Sequence, residues 1–112
     1  MKVIYKEKEI LNNVKYADTF SLRTMGLMFK DSMGEMDGLV LKPCNSIHTF
    51  FMKFSIDVVF LNSKNKVIKI FRELPPWRIT RVYFSATKVL EMEAGKLSSD
   101  LSEGETLEFR DV

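Results

Sequence analysis

The chain has 112 residues, 46% of them hydrophobic and 29% charged, and its 17 basic and 15 acidic side chains leave a formal net charge of +2. That length is enough for one hydrophobic core without a disulfide or metal staple, so residues 1–112 are expected to form a single domain. So small a net charge does not by itself call for a nucleic acid or an anionic membrane as partner.

The lone cysteine, Cys44, has no internal partner, so nothing marks an oxidising compartment and the cytoplasm is the expected location. Residues Met1 to Glu7 lack the apolar run of a signal peptide, and no stretch approaches the roughly 18 apolar residues of a membrane span.

Val3 to Tyr5 and Glu9 to Tyr16 read as short strands, with Lys6-Glu7 between them as the turn of an opening hairpin. Asp18 to Phe29 reads as the principal helix, since Asp18 or Thr19 can accept a hydrogen bond from an unpaired first-turn amide. At about 100° per residue, Leu22, Met25, Met28 and Phe29 fall on one broad apolar face, while Thr19, Arg23 and Gly26 share a different stripe. Gly26 either ends the helix or lets another backbone approach closely.

Asp31 to Asp37 is a polar loop, and Gly38 to Lys42 reads as a strand stopped by Pro43. His48 to Met52 and Asp57 to Leu61 are apolar on both faces, as strands covered from two sides should be. Asn62 to Lys66 turns the chain into Val67 to Phe71, the clearest hairpin. Pro75-Pro76 removes two backbone donors, so the segment through Arg78 is expected to be an exposed loop. Ala86 to Glu93 is a further strand, Ala94 to Leu97 a helical turn, and Glu105 to Arg110 a closing strand. About seven or eight strands with one or two helices define a strand-rich α+β class. The expected architecture is a strongly bent, mostly antiparallel sheet or a partly open β-barrel with one main helix packed on it.

Three residues separate Cys44 from His48, a spacing open to a shared metal or a nucleophile and base pair. A structural zinc site wants four Cys or His ligands where this chain has one of each, so no metal and no cofactor is expected, and His48 is more simply a sheet histidine. On period two, Asp57 shares a face with Val59 and Leu61, and a buried carboxylate there needs a partner such as Arg23 or Lys53. Its simplest role is structural. Glu91, between Leu90 and Met92, is either half-buried or on a solvated face shared with Glu93.

Trp77, Arg78, Arg81, Tyr83 and Phe84 interleave bases with aromatics, the mixture used in single-strand binding. The near-neutral total and the nearby Glu73 argue against a nucleic acid and for an aromatic loop at a pocket or protein interface. No Gly-rich phosphate loop, G-x-S-x-G elbow or H-E-x-x-H motif occurs. Met25, Met28 and Met52 fit gap-filling core positions better than an adaptable groove.

A set of motifs runs nearly the length of the chain: Ala17 followed by Arg23-Thr24-Met25-Gly26-Leu27-Met28, Gly38-Leu39, and Phe51-Met52-Lys53 leading to Ile56-Asp57-Val58-Val59-Phe60. Leu90-Glu91 with Ala94-Gly95 and Gly104 completes it. On these residues the chain resembles the uncharacterised bacterial and archaeal family known as domain of unknown function 192. It departs from that family's usual pattern at Phe51, at Lys53-Phe54-Ser55 and at Ser55-Ile56. The resemblance implies a compact β-rich α+β fold, often behind a signal or lipid anchor in other members, with no established activity.

The polar residues in the matching motifs are Arg23, Asp57 and Glu91, which we group as one expected site with His48 and Met52 as further ligand contacts. The first functional expectation is a non-catalytic module that binds a small anionic ligand or peptide between helix and sheet, with Arg23 holding the anionic group. The second is a hydrolase or isomerase using Asp57 or Glu91 as acid or base, with His48 or Arg23 polarising the substrate. The third is a protein-interaction domain working through Pro75 to Phe84, with Trp77, Arg78 and Tyr83 as anchors. Oligomeric state leaves no trace in the sequence.

Overall fold

In a computed structural model that describes residues 1–111, eight strands and one helix follow one another along the chain. They are β1 (Lys2–Tyr5), β2 (Lys8–Leu11), β3 (Val14–Ala17), α1 (Phe20–Met25), β4 (Gly38–Leu41), β5 (Ile56–Leu61), β6 (Val67–Leu74), β7 (Lys88–Glu93) and β8 (Glu108–Arg110). The fold is a strand-rich α+β one, but the strands divide between two sheets and close no barrel. A three-stranded sheet has the order β2-β1-β8, and a five-stranded sheet has the order β3-β4-β7-β5-β6. Among the described residues only β3 and β4 pair in parallel.

Period two explains how the larger sheet builds a core on each face. Val40, Val59, Leu61, Leu90 and Met92 point to one side, against Val3, Tyr5 and Leu11 of the smaller sheet and Leu97, Leu101 and Leu107. Leu39, Leu41, Ile56, Val58, Phe60 and Val89 point to the other, beneath Leu27, Met33, Ile47 and Met52. Gly38 opens β4 close against side chains of the first core. A Cβ there would sit 3.0 Å from Leu11 Cδ1 and 3.1 Å from Val14 Cγ2.

The opening hairpin forms as the sequence suggests, with Lys6 (φ 49°) and Glu7 (φ 66°) both left-handed, the conformation that matches the twist of a two-residue turn. The run Glu9 to Tyr16 is not one strand. It breaks at Asn12 and Asn13, whose amides donate to the Asp37 carboxylate at 2.8 and 2.9 Å, and β3 leaves for the other sheet. His48 to Met52 is not a strand either, for only His48 makes a bridge, to Ile79.

The largest difference is the helix. Thr19 Oγ1 accepts from the Leu22 amide at 3.2 Å and starts it, but Gly26 (φ 46°) ends it after Met25. Leu22, Met25, Met28 and Phe29 therefore never share one helical face. Leu22, Met25 and Phe29 are exposed, no residue of α1 is buried, and Leu27, just past the helix, is the anchor into the second core. The expected helix packed on the sheet is instead a short capped turn over a cleft.

Candidate functional site

The central strand of the larger sheet is β7, and Glu91 lies in its middle, paired across to Leu39 on β4 and Val58 on β5. That register places its side chain on the face of the second core. Glu91 is 3% exposed, and burial pushes its carboxyl up to about 8. It is not on a solvated strand face with Glu93. No hydrogen bond from the described residues reaches the carboxyl, and no buried polar atom is both sealed and unpartnered, so its oxygens open onto the cleft it lines.

That cleft has a volume of 340 Å³. One wall is α1 and the turn after it, with Arg23, Gly26 and Met28; the other is the loop after β4, with Cys44, Ser46 and His48; Leu41 and Met52 complete it. Gly26 lies close to the carboxyl, since a Cβ there would come within 3.9 Å of Glu91 Oε1. A glycine at this point both ends the helix and keeps the floor open.

Arg23 stands at the rim. Its Nη1 donates to the Asp18 carbonyl at 2.8 Å, and among the described residues it forms no ion pair. The Cys44 thiol donates to the Ser46 carbonyl at 3.1 Å, and burial pushes it up against the opposing pull of that hydrogen bond, so it stays a thiol at neutral pH. His48 Nδ1 accepts from the Phe50 amide at 3.2 Å, which leaves Nε2 as the ring's N–H donor. Among the described residues no three His, Cys, Asp or Glu side chains converge as a metal site.

Asp57 is elsewhere. It points to the opposite face of the sheet from Glu91, with Val59 and Leu61, and is 1% exposed. Its partners are neither Arg23 nor Lys53. Oδ1 accepts from the Glu73 amide at 2.8 Å, and Oδ2 from the amides of Gly95 and Leu97 at 2.9 and 3.1 Å. Lys53 pairs instead with Asp31 at 3.1 Å. Asp57 thus ties the end of β6 to the turn after β7, and the grouping suggested by the motifs divides: Arg23, Glu91, His48 and Met52 share the cleft, and Asp57 does not.

Of the expected interface residues, Trp77 and Arg78 are exposed. Tyr83 is half-buried, its ring 4.8 Å from that of Phe60 and covered by the Arg81 guanidinium at 4.6 Å. Sequence reasoning missed Asn45 and Ser46 as cleft residues, Phe51 as an exposed neighbour of Trp77 and Phe29 as an exposed neighbour of Phe51. The interior glycine at position 26 was the one local sign that the helix served something other than packing.

Fold and site together define a class: a small two-sheet α+β module with a buried carboxyl at the floor of a surface cleft. Residues 3–109 match the model of family DUF192, described as "Uncharacterized ACR", and the chain belongs to that family. It is 38% identical to the UPF0127 protein of Pyrococcus furiosus over 67% of this chain and 66% of that one. It is 35% identical to the UPF0127 protein of Thermococcus gammatolerans over 87% of this chain and 66% of that one, so it spans just under two thirds of these relatives' length. A crystal structure of a protein of unknown function from Novosphingobium aromaticivorans is similar with a TM-score of 0.81, covering 96% of this chain and 82% of that one at 18% identity, which establishes a shared fold. The family has no established function.

Proposed function

We propose that the chain is a non-catalytic binding module that takes a small anionic ligand, or the carboxylate end of a peptide, in the cleft beneath α1. The observation that carries this reading is Glu91, a carboxyl buried in the middle of the central strand with no hydrogen bond from the described residues and its oxygens facing the cleft. Its oxygens are open to the cleft, so a ligand can hydrogen-bond to them in place of water. Kept neutral by burial, Glu91 offers an O–H at neutral pH, and Arg23 offers a guanidinium fork at the rim. Two donors with Met28, Leu41, Ile47 and Met52 around them suit an oxyanion on an apolar body. A volume of 340 Å³ falls at the small end of the roughly 300–1,000 Å³ of small-molecule sites. The single thiol fits a reducing compartment, and the reading places the protein in the cytoplasm.

A thermal-shift panel of butyrate, octanoate, inorganic phosphate, metabolites, sugars and short peptides tests the reading. A fitting anion at about 100 times its Kd stabilises by about 2.7 kcal/mol. The rise in Tm should vanish in Arg23→Ala and in Glu91→Met, which has no donor, while both stay folded; a panel without a hit, or a hit indifferent to both substitutions, sinks the proposal.

A second reading, in which Glu91 is a general acid and His48 or Arg23 polarises a substrate, draws on the same convergence and differs from the first only by turnover. Asp57 has no part in it, because three backbone amides occupy its oxygens.

A further inference from the structure

Residues 19–30 and 42–54, which wall the cleft, and residues 75–87 beside the second of them are joined by backbone hydrogen bonds. The Phe29 amide donates to the Phe51 carbonyl at 2.9 Å, that of Thr49 to Arg78 at 2.8 Å, that of Trp77 to Thr49 at 3.0 Å and that of Tyr83 to Asn45 at 2.9 Å. Of the ten large hydrophobic residues exposed in the described chain, all but Tyr16 lie in these segments. The same segments hold six of the 17 basic residues, Arg23, Lys30, Lys42, Lys53, Arg78 and Arg81, and none of the 15 acidic ones. The remainder carries eleven bases against fifteen acids, so the net charge of +2 is unevenly spread along the chain, although Asp31, just past the first segment, pairs with Lys53 at 3.1 Å.

Within these segments the rings of Phe29 and Phe51 lie 5.3 Å apart, and those of Phe51 and Trp77 4.8 Å apart. All three residues hold left-handed backbones, with φ of 65°, 62° and 66°. Bulky side chains rarely adopt that conformation, and such strain clusters where a surface is used. Phe84 and Ile79, 91% and 69% exposed, stand almost clear of the protein.

We propose that this surface docks on an anionic lipid bilayer, with Phe51, Trp77 and Phe84 entering the acyl boundary and Arg78 and Arg81 meeting the headgroup phosphates. A bilayer is anionic at its surface and apolar just beneath, which is the layering these side chains present. A nucleic acid would use the rings and the bases but gains nothing from exposed Leu22, Ile79 and Val82. The proposal does not depend on the ligand reading of the cleft.

Trp77 is the chain's only tryptophan, so its fluorescence reports the docking directly. With the full chain at low salt, phosphatidylglycerol vesicles should shift its emission to the blue, and bromines on the lipid chains should quench it. Pure phosphatidylcholine should do neither, and added salt should weaken the effect. In sedimentation, Phe84→Ser and Trp77→Ala should each lower partitioning about tenfold. Arg78→Ala with Arg81→Ala should lower it roughly thirtyfold. Phe84→Ser, at a side chain 91% exposed, leaves the core untouched. No binding to phosphatidylglycerol, binding without quenching by brominated chains, or a blue shift given only by an oligonucleotide or by raising the protein concentration would each overturn the proposal.

Discussion

Replacing Glu91 with glutamine removes one ionisable group from the centre of the sheet while keeping its shape. The sign of the effect follows from linkage. Below pH 4.5 both the folded and the unfolded carboxyl hold their proton, and the stability contributed is fully present; between 4.5 and about 8 only the unfolded chain ionises, so stability falls as pH rises. At about 1.4 kcal/mol per pH unit, an elevation from 4.5 to about 8 amounts to at most roughly 5 kcal/mol, since the cleft admits some water. Against a typical domain stability of about 5–15 kcal/mol, that is a large share. Urea unfolding of wild type and Glu91→Gln at a series of pH values isolates the term, because every other titrating group cancels in the difference. The wild type should lose stability relative to the variant across pH 5 to 8, and the variant should be the more stable of the two above pH 8. Parallel profiles across that window would refute a carboxyl held neutral by burial.

Asp57→Ala should destabilise by about 3 kcal/mol or more, because it leaves the amides of Glu73, Gly95 and Leu97 without their acceptor in a sealed site; denaturant melts read this directly. The same variant, if it folds, should keep the ligand response of the wild type, since Asp57 lies outside the cleft. Gly38→Ala should cost about 1–3 kcal/mol, as its Cβ would press on Leu11 and Val14 at 3.0 and 3.1 Å; a neutral effect on the urea midpoint would show that those side chains give way freely.

The hairpin of β5 and β6 and the strand β4 were legible because their apolar runs are bounded by unmistakable punctuation, Asn62 to Lys66 on one side and Pro43 on the other. The break between β2 and β3 was not, because what holds Asn12 and Asn13 is Asp37, distant in sequence. The helix misled for a physical reason: apolar residues at helical spacing signal a buried face only if something covers them, and here Leu22, Met25 and Phe29 are exposed, Met25 at the edge of the cleft. The face taken by Asp57 was readable from its alternation with Val59 and Leu61. That Glu91 takes the opposite one requires the pairing of Val58 with Glu91, a long-range register that no local pattern encodes. Motif resemblance grouped Arg23, Asp57 and Glu91; the first and last line one cleft, and no motif could tell that Asp57 serves the other face.

Site-resolved carbon NMR of the Glu91 side-chain carboxyl, titrated from pH 4 to 10 with and without a cleft-binding carboxylate such as octanoate, examines the claim on which the binding reading rests. The free protein should show a midpoint near 8, and the bound anion should move it higher, because a nearby negative charge disfavours ionisation. A midpoint in the ordinary carboxylate range, or one that a bound anion leaves in place, would contradict it.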